Sequence, residues 1–209
     1  KLPLGFLGRL FGGKIISYDD SRAKNSPGVI KITQIDAGIS VIADSYWNAK
    51  KGRDLLNIEY DHGPNSKLDN SDLWEGIETA SDQPGAVFRS AGNYEEGVAN
   101  AITQVSAEYR LPFLSHSPME PMNAMADIRE NHATIITGAQ FPQIIPSVVS
   151  GQTGIAPENV KVTTTFLGGS FGRRGGMDYV IAAIQSSKAA KAPVNLIWDR
   201  EDDMMHDNY

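Results

Sequence analysis

A glycine-rich stretch at residues 168–176 contains the residue types with the clearest chemical potential in this sequence. In order, its residues are Gly168, Gly169, Ser170, Phe171, Gly172, Arg173, Arg174, Gly175 and Gly176. Glycines let the backbone take positive φ, and the predicted helix from Met177 adds unpaired N–H donors and a positive partial charge at its start. Arg173 and Arg174 add planar guanidinium forks that suit phosphate. The stretch therefore predicts a site for a negatively charged ligand.

The spacing of these glycines narrows the class of ligand. It matches neither G-x-G-x-x-G nor G-x-x-x-x-G-K-S/T, so dinucleotide sites of the NAD type and ATP sites are disfavoured. A structural alternative stays open, in which the loop is only a tight turn and its two arginines are solvated. Phe171 is equally open, because an aromatic side chain between glycines either fills a core or lines a pocket.

A second segment, residues 111–125, places His116 and Glu120 in a proline-broken loop between predicted strands. Loops of this kind often carry functional residues. Glu120 is either a pocket carboxylate or a salt-bridged residue that orients the loop, and the second role is favoured. Methionines recur at three-residue spacing from His116 and suggest a soft-metal site. Thioethers at such spacing are more often core filler, so we predict no metal ligand here.

Acidic residues crowd the sequence near residue 200. Glu201, Asp202 and Asp203 follow Arg200 and a predicted strand at 194–198. They could gather a cation, but acidic side chains are expected in the first turn of a helix because of its dipole. We predict a solvated helix start, in a helix that the chain leaves no room to complete.

Hydrophobic periodicity and turn signals predict the elements that position these residues. The first group is a strand at 14–18, a hairpin of 29–35 with 39–43 across Asp36-Ala37-Gly38, a helix capped by Ser45, a strand at 56–60 and a helix at about 69–80. The second group is strands at 101–112 and 122–136 in an antiparallel arrangement, a helix at 141–150, a strand at 160–167, a helix at 177–190 and a strand at 194–198. A loose segment at 81–85 separates the groups and predicts a domain boundary.

Composition excludes several classes of protein. The 209 residues carry a net charge of −6, with 41% hydrophobic and 21% charged residues, as in an ordinary folded protein. The basic residues are scattered, which disfavours nucleic-acid binding. Without cysteine the chain cannot form a disulfide or ligate an iron–sulfur cluster, so any one-electron centre must lie elsewhere. No apolar run could span a bilayer, and the missing initial Met and interrupted last helix lead us to expect a piece of a longer protein.

Taken together, these segments resemble the molybdenum-cofactor-binding large subunit of the xanthine oxidase family, most closely its isoquinoline 1-oxidoreductase β-subunit branch. The matching pieces are Phe11 to Lys14, Tyr18 to Asp20, Pro27 to Val29, Val41 to Asp44, Trp47, Ala49 to Gly52, Ser115 to Asn123, Gln140, Gly168 to Arg174 and Arg200 to Asp203. The resemblance implies a mixed α+β fold. Residues 1–80 would form a small hammerhead-like α/β domain, truncated on its N-terminal side, and 81–209 the first part of a molybdopterin-binding α+β domain.

The resemblance also implies a cofactor and a reaction. The cofactor is a molybdopterin cytosine dinucleotide carrying molybdenum, held by Gly168, Gly169, Ser170, Phe171, Gly172, Arg173 and Arg174, with Gln140 as a further donor. The reaction is hydroxylation of an N-heteroaromatic compound with water as oxygen donor. An aldehyde dehydrogenase large subunit of the same superfamily and a non-catalytic interaction domain are the alternatives.

The family pattern further implies partners for this chain. Electrons would leave through a separate small iron–sulfur subunit carrying 2Fe–2S clusters, which fits a chain without cysteine. The catalytic base of the family is a glutamate near the end of the full-length subunit, so we expect no catalytic residue here and no turnover by this chain alone. His116 and Glu120 keep a pocket or loop-orienting role. A periplasmic location is expected, with the cytoplasm as the alternative.

Overall fold

The structure is a computed structural model that describes residues 14–36 and 38–207. Phe11, Gly12 and Gly13 of the sequence resemblance, and Ala37 of the predicted hairpin turn, lie outside the described residues. Contacts divide the chain into two compact units. The larger comprises the described residues up to Ser66 and those from Leu114 onward, and the smaller is Lys67–Phe113. The predicted domain division at residue 80 stays a prediction.

The first part of the larger unit contains two antiparallel strand pairs and one helix. The elements are β1 (Lys14–Asp19), β2 (Val29–Ile35), β3 (Gly38–Ala43), α1 (Tyr46–Asp54) and β4 (Asn57–Asp61). Strand β1 pairs with β4, and β2 forms the predicted hairpin with β3. The Ser45 side chain accepts a hydrogen bond from the N–H of Asn48, so α1 begins at its predicted cap.

The smaller unit contains the helices α2 (Asn70–Ser81) and α3 (Tyr94–Ala99). The Asp69 side chain accepts hydrogen bonds from the first turn of α2, and the Asp72 side chain accepts one from the N–H of Asp69, which completes a capping box. This pair explains why the predicted helix starts where the sequence indicates.

The predicted strand at 101–112 is wrong, because the structure has no strand between α3 and residue 122. Its expected partner, β5 (Asn123–Ile128), pairs on one edge with β6 (Ala133–Thr137) and on the other with β8 (Val194–Ile197). A strand needs a free edge to pair with, and β5 offers none. Apolar residues at 101–112, such as Ile102 and Leu111, are exposed instead.

The second part of the larger unit is built on a four-stranded sheet. Its further elements are α4 (Ile145–Thr153), β7 (Val160–Thr164), α5 (Asp178–Ala190) and α6 (Arg200–Met205), and the strand order is β7-β6-β5-β8. Strands β6 and β7 run parallel, and the other neighbours run antiparallel. The predicted mixed α+β fold is confirmed.

Helix α5 packs on this sheet and closes the main core. Alternate residues of β5 are buried, as are Tyr179, Val180, Ala183 and Ile184 on one side of α5. A buried Val or Ile side chain such as Val180 or Ile184 contributes about 1.5–3 kcal/mol. The packing fixes the start of α5 at one end of the sheet, and the glycine-rich stretch that precedes it is held there. Within residues 14–36 and 38–207, no helix is both long and apolar enough to cross a membrane.

Candidate functional site

The glycine loop, residues 168–176, presents a row of unbonded backbone donors. Gly169, Phe171 and Gly172 have positive φ values of 97°, 56° and 105°. The N–H groups of the four residues 169–172 have no acceptor among the described residues, whereas that of Gly168 is bonded to the Glu120 carboxylate. Successive N–H groups in such a backbone form an anion-binding concavity. Phe171 is 75% exposed and fills no core of the described chain.

The two arginines of the loop lie beneath it, and the solvated alternative for them is wrong. Arg173 is 2% exposed, and its guanidinium donates two hydrogen bonds, of 2.9 and 2.7 Å, to the Asp178 carboxylate. Arg173 Nε also lies 3.2 Å from a carboxylate oxygen of Asp207. Burial alone would lower the pKa of Arg173, but the Asp178 hydrogen bonds and neighbouring carboxylates raise it. The Arg173 guanidinium therefore bonds to protein carboxylates rather than pointing toward solvent.

Arg174 is fully buried and holds the loop to the strand ends. Its guanidinium donates to the main-chain oxygens of Gly169, Gly138 and Glu120 and to the Glu120 carboxylate at 2.9 Å. Every nitrogen of the group has a protein acceptor. Arg173 and Arg174 therefore act as scaffolding for the loop, and any donors for a ligand come from its main chain.

Glu120 ties the segment before β5 to the glycine loop. Its carboxylate accepts hydrogen bonds from Gly168 N–H at 2.8 Å and Asn123 Nδ2 at 3.0 Å, and its own N–H donates to Gly168 O. Partial burial raises the pKa of Glu120, but these hydrogen bonds and the charge of Arg174 outweigh it and lower the pKa overall. The carboxylate stays ionised and orients the loop.

Gln140 lies beside the loop with its side-chain amide oriented by Ser170. Ser170 Oγ donates to Gln140 Oε1 at 2.6 Å, and Gln140 N–H donates to Arg174 O at 3.1 Å. Gln140 is exposed, and its Nε2 has no acceptor among the described residues. The side chain thus adds one more donor to the row of main-chain N–H groups.

His116 reaches the loop from the opposite side. Its ring Nδ1 lies 2.9 Å from Asp207 Oδ1, and its N–H donates to the other oxygen of the same carboxylate. Asp207, which is 1% exposed, thus orients the ring through Nδ1 and leaves the Nε2 atom on the far side of the ring. That atom lies 3.4 Å from the position that a Cβ on Gly172 would take. The structure therefore brings His116, Glu120 and Gln140 together around the glycine loop.

Sequence reasoning missed two carboxylates of this site, Asp178 and Asp207. Asp178 opens α5 directly after the loop, so its proximity to two arginines was a usable signal. Asp207 follows α6 and is more than 30 residues from the loop, so no spacing rule could have connected them.

Beside α6 lies a separate group of charges, the ion-pair cluster of Lys50, Arg53, Asp199 and Asp202. Lys50 and Arg53 reach Asp199 at 2.7 and 2.6 Å, and Arg53 reaches Asp202 at 2.7 Å. Burial and the neighbouring Asp199 carboxylate outweigh Arg53 and raise the pKa of Asp202 to about 6. The predicted solvated helix start is wrong for Asp202, which pairs with Arg53 of α1, and for Asp203, which is buried beside Arg200, while Glu201 is exposed as predicted.

Comparisons with known proteins agree with the family resemblance and the fold. A model of the molybdopterin cofactor-binding domain matches residues 79–209. The chain is 30% identical over 209 residues to membrane-bound aldehyde dehydrogenase (pyrroloquinoline-quinone) of Gluconacetobacter polyoxogenes, covering 95% of this chain and 27% of that protein. It is 24% identical over 198 residues to isoquinoline 1-oxidoreductase subunit beta of Brevundimonas diminuta, covering 89% of this chain and 25% of that protein. The chain thus spans about a quarter of the length of these relatives.

A solved structure shares the fold. Quinoline 2-oxidoreductase from Pseudomonas putida 86 superimposes with a TM-score of 0.66 at 20% identity, over 92% of this chain and 30% of that one. Fold and site thus define a mixed α+β domain that presents a cradle of main-chain donors. The chain belongs to the molybdopterin cofactor-binding domain family, and its relatives place it among the molybdenum-binding large subunits of the xanthine oxidase family, as predicted.

Proposed function

We propose that the main-chain N–H groups of residues 169–172, together with Gln140 Nε2, bind the molybdopterin cytosine dinucleotide form of the cofactor. The observation that carries this proposal is the row of four consecutive N–H groups without an acceptor among the described residues. A negatively charged pterin nucleotide supplies the acceptors that such a row needs. Arg173 and Arg174 support the loop from beneath in this proposal, rather than donating to the ligand as the sequence suggested.

When bound, the molybdenum cofactor supplies the two-electron oxidation that accompanies hydroxylation by water. The residues of this chain bind and orient the reacting groups. Glu120 and Arg174 fix the loop to the strand ends, and the Asp207 carboxylate orients the His116 ring through Nδ1. The catalytic base belongs to a later part of the full-length subunit, and this chain alone is inactive.

The full-length protein is proposed to hydroxylate N-heteroaromatic compounds. Support comes from the similarity to isoquinoline 1-oxidoreductase subunit beta and from the sequence motifs of that branch. The proposal includes a separate small subunit carrying 2Fe–2S clusters that takes up the electrons, and the similarity to a beta subunit supports it. A periplasmic location is part of the same proposal, and cell fractionation with detection of the subunit in the cytoplasm alone would contradict it.

Oxidation of aldehydes is a second candidate, favoured by the 30% identity to an aldehyde dehydrogenase over 95% of this chain. One assay distinguishes the two candidate activities. The purified complex is given isoquinoline-type heterocycles or short aldehydes, each with an artificial electron acceptor, and kcat/KM is measured for both. Higher kcat/KM for the heterocycles supports the first candidate, and higher kcat/KM for the aldehydes supports the second.

The cofactor proposal is tested by the content of the full-length subunit, purified from cells that make the cofactor. We expect about one molybdenum and one pterin cytosine dinucleotide per subunit. A wild-type protein that carries neither group, or that carries pyrroloquinoline quinone in their place, would contradict the proposal. A protein with no bound group at all would favour a non-catalytic interaction domain.

The variant Gly172→Ala tests the loop itself. Gly172 has φ 105°, which L side chains rarely adopt, so alanine strains the donor row even though its Cβ would lie at an ordinary contact distance, 3.4 Å, from His116 Nε2. We expect cofactor content to fall several-fold and stability by about 1–2 kcal/mol. Gly154→Ala is the matched control, because Gly154 also has positive φ, 81°, but open space among the described residues around its Cβ position. Equal cofactor loss in both variants would show that backbone strain alone is responsible.

A further inference from the structure

Ser170 is the one residue of the donor row whose side chain is turned into the protein. It is 8% exposed, between Gly169 and Phe171, which both have positive φ. Its hydroxyl accepts a hydrogen bond from Arg174 N–H at 3.1 Å and donates one to Gln140 Oε1 at 2.6 Å. A hydroxyl has one proton to donate, and both of its contacts here are made with protein groups.

The direction of these hydrogen bonds determines what Gln140 presents at the site. A glutamine amide can turn over and exchange its acceptor oxygen for its donor nitrogen. Because Arg174 N–H can only donate, Ser170 Oγ accepts from it and its own proton goes to Gln140. This proton fits the Oε1 end of the amide, and the Nε2 end would place two donors against each other. Nε2 therefore points away from Ser170, where it is free to donate.

We propose that Ser170 is a positioning residue that locks the Gln140 amide with its donor end toward the ligand. The inference rests on the proposed function for the identity of the ligand, but the geometry involves only residues of this chain. Without the hydroxyl, Gln140 can present Oε1 instead, and an acceptor repels an anionic ligand. The Ser170 hydroxyl does not touch the ligand, since both of its hydrogen bonds are made with Gln140 and Arg174 beneath the loop.

A double-mutant cycle on the full-length holoenzyme tests the proposal. The variants are Ser170→Ala, Gln140→Ala and the pair, and the measured quantity is the rate at which molybdenum and pterin are lost on dilution. We expect Ser170→Ala to lose the cofactor about tenfold faster than the wild type, the value of one hydrogen bond. In the Gln140→Ala background the same substitution should change the rate by less than about twofold.

Ser186→Ala is the matched control. Ser186 is fully buried in α5 and also makes two hydrogen bonds, to Ser40 Oγ and to Ala182 O, each at 2.8 Å, but it contacts neither the loop nor Gln140. It should lose the cofactor at the wild-type rate. Wild-type retention in Ser170→Ala would overturn the proposal, and so would an equal effect of Ser170→Ala with and without Gln140.

Crystal structures of the cofactor-free wild-type and Ser170→Ala subunits give a readout that does not need the ligand. We expect Gln140 in a single conformation in the wild type and in a different or mixed conformation in the variant. An unchanged Gln140 would overturn the positioning role even if the wild type binds the cofactor. A wild-type subunit that never carries molybdenum or pterin would instead overturn the proposed function, and the Gln140 conformation would still decide the role of Ser170.

Discussion

The glycine loop and the ion-pair cluster both bring polar groups together in the larger unit. They differ in whether those groups are bonded to other groups of the protein. In the cluster, Arg53 bonds to both Asp199 and Asp202. In the loop, the arginines are bonded in the same way, yet four main-chain N–H groups above them have no acceptor among the described residues. The comparison distinguishes the loop as the candidate site by its unbonded donors rather than by its number of charged side chains.

Buried ion pairs support both regions, and the loop depends on them more. Arg173 and Arg174 are 2% and 0% exposed, whereas the side chains of Lys50 and Arg53 are 28% and 27% exposed. Removing one partner of a buried pair leaves an uncompensated charge, while a partly exposed partner is solvated. Substitutions should therefore cost more beneath the loop than in the cluster.

The largest expected effect is that of Arg173→Met. It leaves the carboxylates of Asp178 and Asp207, with 8% and 1% of their side chains exposed, without the guanidinium between them. We expect the free energy of unfolding to fall by about 3–5 kcal/mol, measured by denaturant titration at pH 7. Arg129→Met is the control, because its side chain is 42% exposed and should change stability by less than about 1 kcal/mol. Equal losses would remove the distinction between the two kinds of arginine.

A smaller effect is expected from acid, through His206. Burial, with the charge of Arg173 in the same direction and that of Asp178 opposing, lowers the pKa of His206 to about 4. The unfolded imidazole binds protons below about pH 6.5, so stability falls by roughly 3 kcal/mol between pH 6.5 and 4. His206→Gln should remove that part of the fall, as seen in unfolding curves at several pH values. His132→Gln, at an exposed position, should leave it in place.

Within the ion-pair cluster, the Asp202 carboxylate should respond to acid in the direction opposite to His206, whereas Asp199, whose pKa Arg53 and Lys50 lower, should not. Because the folded-state pKa of Asp202 is raised to about 6, the folded protein binds its proton more tightly than the unfolded chain. This contribution strengthens the fold as pH falls from 6 toward 4 and is lost as pH rises through 6. Asp202→Asn should therefore make the acid-induced loss of stability steeper than in the wild type. A shallower loss would mean that Arg53 controls the titration of this carboxylate.

Local signals predicted much of this architecture. The hairpin of β2 and β3, the cap at Ser45 and the helix start near Asp69 follow from residue types within a few positions of each other. The strand at 101–112 failed because alternation cannot show that both edges of β5 are already taken. The glycine loop was located from its sequence, but the burial of its arginines depends on partners such as Asp207, which only the fold brings near.

The smallest expected effect is that of Lys50→Met, which separates the cluster from the site. Asp199 loses the Lys50 ammonium at 2.7 Å but keeps Arg53 at 2.6 Å and the N–H of Asp202, which it caps at the start of α6. Because the carboxylate remains paired, we expect a stability loss of about 1 kcal/mol or less. Molybdenum content of the full-length subunit should stay at the wild-type level. A several-fold drop in molybdenum content without unfolding would contradict this separation. It would mean that the cluster affects cofactor binding at the loop through α6 and Asp207.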